Sequence, residues 1–100
     1  MAQYKIIWSI KASAQLHAIL EYYVERNKST TYSAKLYSKI NQQVNLLIKH
    51  PSLGIKTELE FVRGLIIDNY IVYYKIQQDQ IVIHTVWDSR RNPQTLIINK

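Results

Sequence analysis

The chain has 100 residues, which suits one compact domain and leaves no material for a second. Thirteen Lys and Arg against seven Asp and Glu give a net charge of +6, a surface that attracts polyanions or an acidic protein partner and at the least keeps the chain in solution. Without cysteine, a disulfide framework and a cysteine-based zinc site are both excluded.

In chain order, Tyr4-Lys-Ile-Ile-Trp8 is β-prone and predicts an edge strand, with Ser9 placed to cap a following helix. Its apolar run is too short for a signal peptide, and no later segment approaches the roughly 20 apolar residues of a membrane span, so a cytoplasmic protein is expected. Ala12, Leu16, Ile19, Leu20 and Tyr23 form one apolar stripe of a helix ending near Asn27. After the connection Asn27-Lys-Ser-Thr30, a second helix places Tyr32, Leu36, Ile40, Val44, Leu47 and Ile48 on one side. It must stop before Pro51, and Pro51-Ser-Leu-Gly54 reads as a turn.

Residues 61–67, 70–76 and 80–87 are rich in β-branched and aromatic side chains and are separated by Asp68-Asn69 and Gln77-Gln-Asp79, which predicts two successive hairpins. The expected fold is therefore α+β: an N-terminal strand, a helical hairpin, then a three-stranded antiparallel meander with the helices on one face of the sheet. If both turns have two-residue loops, Leu65, Ile67, Tyr70, Val72, Tyr74, Ile76, Ile81, Ile83 and Trp87 share the face under the helices. Val62, Ile66, Ile71, Tyr73, Lys75, Val82, His84, Val86 and Asp88 share the other, which leaves Tyr73, Lys75 and His84 together on an open face. Arg63 then falls opposite Tyr74 on the apolar face, a costly place for a charge unless it lies at the rim or a bulge turns it over.

Tyr4-Lys-Ile-Ile-Trp-Ser9, the helical pair, Leu47-Ile-Lys-His-Pro-Ser-Leu-Gly54, Val62-Arg-Gly-Leu65, Asn69-Tyr-Ile-Val-Tyr-Tyr-Lys-Ile76 and Asp88-Ser-Arg-Arg-Asn-Pro93, in that order, resemble the RelE/ParE superfamily of bacterial toxins. The resemblance implies a type II toxin–antitoxin pair with a cognate antitoxin that wraps and neutralises the toxin, a heterotetramer being the form expected if the two assemble. ParE-like members block DNA gyrase without cutting anything, whereas RelE-like members cut messenger RNA on the ribosome. A relic that only binds its antitoxin is a third possibility.

A metal-free RNase needs a base for the ribose 2′-hydroxyl, cations on the phosphate and an acid for the leaving oxygen. Arg63 matches one arginine of RelE-like enzymes and Arg90 or Arg91 a second, while His84 is the available acid or base, so Arg63, His84 and Arg91 are the catalytic candidates for that reading. A mid-strand histidine between Val82 and Val86 is more often a half-buried sheet residue than a catalytic one, and most of the tyrosines are core residues with a polar tip. His17 belongs to a helix surface and His50 to a helix end, and no pair of histidines has metal-ligand spacing; no cofactor or metal is expected. The segment after Arg91 supplies neither tyrosine nor histidine for the acid–base step, which tilts the reading toward a ParE-like gyrase inhibitor. Lys56, Arg63, Tyr73, Lys75, Arg90 and Arg91 are the residues expected to meet the target.

Overall fold

The computed structural model describes residues 4–89. Along the chain run β1 (Lys5–Trp8), α1 (Ile10–Asn27), α2 (Thr31–Asn45), a single 3₁₀ turn (Leu46–Ile48), β2 (Ile55–Lys56), β3 (Val62–Ile67), β4 (Tyr70–Gln77) and β5 (Gln80–Asp88). The five strands form one sheet in the order β1-β5-β4-β3-β2, with β1 parallel to β5 and every other pair antiparallel. This is the expected α+β arrangement with one strand more: two residues are too few to show a period in the sequence, so β2 has no counterpart there. Among the described residues no helix is long and apolar enough to cross a membrane.

Ser9 caps α1 as its position suggested. Its backbone is extended, and its hydroxyl accepts a hydrogen bond from the Ala12 amide at 3.0 Å while donating to the His84 carbonyl at 3.1 Å. One side chain thus starts the helix and fastens it to β5. At its other end α1 stops on Lys28 in the left-handed conformation, a position usually filled by glycine. The second helix departs from expectation: it is α-helical only to Asn45 and then tightens into the 3₁₀ turn. The tightening turns Leu47 fully inward and leaves Leu46 46% exposed. Tyr32, expected on the buried stripe, is 40% exposed and packs edge-on against Tyr23, with ring centroids 4.6 Å apart.

Only one face of the sheet supplies the helical core. Leu65, Ile67, Tyr70, Val72, Tyr74, Ile81 and Ile83 meet Ala12, Leu16, Leu36, Ile40, Val44 and Leu47, with Ile76 at the margin. Both hairpin loops have two residues, since Ile67 pairs with Tyr70 and Gln77 with Gln80. Their first residues, Asp68 and Gln78, take φ of 54° and 55°. Lys39 of α2 reaches across to Asp68 at 2.6 Å, tying the helix to the first turn.

The register between β4 and β5 holds from Gln77↔Gln80 to Tyr74↔Ile83 and then slips, so that Tyr73 faces Thr85 and His84 is the extra residue of a β-bulge. Beyond the bulge each residue of β5 is displaced by one, and side chains exchange faces. Val86, expected on the open face, is buried in the core, whereas Trp87, expected under the helices, pairs with Ile71 instead. Asp88 likewise moves to the position opposite Tyr70. Nothing in the uninterrupted run Ile81-Val-Ile-His-Thr-Val-Trp87 marks the slip.

Candidate functional site

The conflict over Arg63 resolves at the sheet rim. Arg63 pairs with Tyr74, as counting from the turn required, and therefore shares the helix-side face with it. It is not stranded, because it donates to the Gly54 carbonyl at 2.8 Å and the Ser52 carbonyl at 3.3 Å. Tyr74, fully buried beside it, donates its hydroxyl to the Pro51 carbonyl at 2.7 Å and accepts from the Gly54 amide at 2.8 Å. Burial raises the Tyr74 pKa, an effect partly offset by the Gly54 amide and the Arg63 charge. The hydroxyl consequently keeps its proton at neutral pH and can donate.

Gly54 permits this close approach: a Cβ there would lie 2.8 Å from Tyr74 Cε1 and hydroxyl oxygen. The turn 51–54 is therefore clamped by one phenol and one guanidinium. Lys56 on β2 pairs with Arg63, which sets two cations side by side. With Glu60, Phe61 and Ile76 they line a shallow cavity of about 180 Å³. Phe61 at its edge is 69% exposed.

On the opposite face lie Tyr73, Lys75 and His84. The bulge turns His84 and Thr85 to the same side, where His84 Nδ1 and Thr85 Oγ1 are 2.7 Å apart. Burial, and then the charges of Lys11 and Lys75, lower the His84 pKa, so the imidazole is neutral at pH 7. The expectation of an exposed tyrosine fails: Tyr73 is 7% exposed because its ring leans over Gly64, where a Cβ would meet Tyr73 Cε1 at 3.3 Å and Ile71 Cγ2 at 3.0 Å. Burial also raises the Tyr73 pKa, which keeps the phenol protonated. Lys75 is half-buried.

Arg63 and His84 consequently belong to opposite faces of the sheet. Arg90 and Arg91 lie outside the described residues. Of the other histidines, His17 pairs with Glu21 at 3.3 Å on a solvent-exposed helix surface, and His50 is exposed after the 3₁₀ turn. Among the described residues no group of three or more His, Cys, Asp or Glu could hold a metal ion.

Sequence reasoning missed a larger cavity of about 550 Å³ where α1 passes the ends of β4 and β5, lined in part by Gln15, Tyr22, Tyr23, Tyr70 and Trp87. Gln15 marks its position by accepting from the Val86 amide at 2.9 Å, a backbone group that β1, ending at Trp8, does not reach. Aromatic residues in that combination were a signal, but only the bulged register brings Val86 to the helix side, where its amide meets Gln15.

Comparison with known proteins finds that residues 6–93 match the family model described as the ParE toxin of the type II toxin–antitoxin system parDE. Among solved structures, a chain of the chromosomal ParDE TA system from P. aeruginosa superposes with a TM-score of 0.72 at 24% identity, over 83% of this chain and 92% of that one. No curated protein matches.

Proposed function

This chain belongs to the family of ParE toxins of type II toxin–antitoxin systems, and from that premise we propose that it halts growth by binding DNA gyrase until a cognate antitoxin masks it. In this reading residues 1–100 form one toxin domain that acts in the cytoplasm and pairs with its antitoxin, in a heterotetramer of two toxins and two antitoxins. The observation that carries the proposal is the separation of Arg63 from His84 by the thickness of the sheet. Cutting RNA without a metal requires a proton acceptor and a cation at one phosphate. Here the histidine sits beside Thr85 on one face, with Lys11 and Lys75 as its nearby charges, while Arg63, the arginine the RNase reading pairs with it, is engaged with two backbone carbonyls on the other.

Inhibition by binding asks for a rigid surface instead, and the rim supplies one. Its turn is clamped by Tyr74 and Arg63, and it presents the exposed side chains of Lys56, Phe61 and Leu53. Lys56 and Lys75 are the target-contacting cations of the described part, with Arg90 and Arg91 as further candidates beyond it. Arg63 and Tyr73 contribute by shaping the surface. Purified toxin titrated into a gyrase supercoiling reaction is expected to leave relaxed plasmid unsupercoiled, and full supercoiling at saturating toxin removes the proposal.

A further inference from the structure

The bulge in β5 lies where three elements converge. Ser9, just after β1, donates its amide to the Ile83 carbonyl at 3.0 Å and its hydroxyl to the His84 carbonyl at 3.1 Å. The first turn of α1, which carries Lys11, therefore begins beside His84. Lys75 of β4 pairs with Val82, two residues before His84 on β5, which makes it a diagonal neighbour of the imidazole, within reach of a long side chain. Burial lowers the His84 pKa first, and the charges of Lys11 and then Lys75 lower it further, so both ammonium groups are felt at the ring and no carboxylate offsets them. Among the described residues neither lysine forms an ion pair.

Thr85 decides which end of the ring carries the proton. It is 2% exposed, and its hydroxyl has one hydrogen-bond partner among the described residues, His84 Nδ1 at 2.7 Å. Were the ring to donate, the buried hydroxyl proton would be left without an acceptor, a state that folded proteins avoid. Thr85 therefore donates to Nδ1, and the neutral imidazole holds its own proton on Nε2.

We propose that Lys11, Lys75 and the Nε2–H of His84 form a binding site for a phosphate monoester where α1 meets β4 and β5. Every polar group brought together there is a donor: two ammonium groups and one imidazole N–H, from three different elements, facing the several oxygens of one tetrahedral group. The two lysines balance a monoester, which carries a charge of about −1.5 to −2 at pH 7. A phosphodiester, with a single charge, leaves one ammonium uncompensated. The same arrangement binds without cutting, because Nδ1 is taken by Thr85 and Nε2 is protonated, so no acceptor remains for the proton of a ribose hydroxyl. Thr85 is a positioning residue that acts through the imidazole.

The test uses the purified full chain, labelled with ¹⁵N, at neutral pH and constant ionic strength. Long-range ¹H–¹⁵N imidazole spectra are expected to show His84 protonated at Nε2. Titration with adenosine 5′-monophosphate is expected to shift that nitrogen and the amides of Lys11, Lys75 and His84 saturably, whereas adenosine leaves them in place. Lys11→Gln, at an exposed position, and Lys75→Gln should each weaken the monophosphate by roughly tenfold or more, the loss of one charge-assisted hydrogen bond. Thr85→Val should mix the two imidazole tautomers and weaken binding, and Thr85→Ser, which keeps the hydroxyl, should restore both. An Nδ1-protonated His84 in the wild type, no saturable shift, or unchanged affinity in both lysine variants overturns the inference. Equal affinity for dimethyl phosphate, or tighter binding of an oligonucleotide that lacks a terminal phosphate, overturns the assignment to a monoester. Failure to inhibit gyrase by a chain that binds the monophosphate removes the target reading and leaves this site in place.

Discussion

Replacing Tyr74 with phenylalanine isolates a single hydroxyl. The ring stays, so the core contacts of a fully buried residue are kept and the change reduces to two hydrogen bonds, to the Pro51 carbonyl and from the Gly54 amide. The Gly54 amide is buried, and leaving it without an acceptor costs about 1–3 kcal/mol; the partly buried Pro51 carbonyl can turn to water, and losing its bond costs about 0.5–1.5 kcal/mol. Together Tyr74→Phe is expected to cost about 2–4 kcal/mol. With a urea slope of about 1–3 kcal/mol per molar, the unfolding midpoint should fall by roughly 0.7–4 M. Urea titration followed by far-ultraviolet circular dichroism gives the loss, and amide hydrogen exchange at Gly54 localises it. A loss below about 1 kcal/mol with wild-type protection at Gly54 would refute the idea that this phenol clamps the turn.

Arg63→Ala should destabilise the fold by about 1–2 kcal/mol, since a charged donor to two carbonyls is lost at a partly exposed site, whereas Lys56→Ala should stay within about 0.5 kcal/mol. Equal and negligible effects in thermal melts would argue that Arg63 is a surface contact residue only. Ser9→Ala, which removes both the α1 cap and the bond to His84, is expected to cost about 1–2 kcal/mol by the same measurement. His84 has a folded pKa below its ordinary value, so the unfolded chain binds its proton first as pH falls. Its stabilising effect is therefore complete above the unfolded pKa near 6.5 and is lost as pH drops from there through the folded pKa. Urea midpoints at pH 7.5 and 5.5 should accordingly differ more for the wild type than for His84→Gln, and identical differences would contradict the burial of that imidazole.

Much of the architecture was readable because local signals agreed with the tertiary solution. Ser9 before an apolar stripe, and Asp68-Asn69 between β-branched runs, each fixed an element whose register the rest of the sheet accepted. Arg63 opposite Tyr74 was counted from the turn alone, and what could not be counted was the turn 51–54 returning to offer it two carbonyls. The bulge at His84 was invisible for a physical reason: Ile83, Thr85 and Val86 are all acceptable on a buried strand, so the alternation does not choose between registers. Tyr73 shows the same limit in another form. Its burial depends on the missing side chain of Gly64 on the neighbouring strand, a pairing that no window along the chain contains.

The central claim is that a toxin whose Arg63 and His84 stand on opposite sides of the sheet acts by binding rather than by cutting. Primer extension on transcripts recovered from a translating extract, with saturating purified toxin, tests it most directly. Intact transcripts in the presence of a preparation that blocks gyrase supercoiling are predicted. Toxin-dependent cuts within ribosome-bound codons, slowed by His84→Ala, would contradict it.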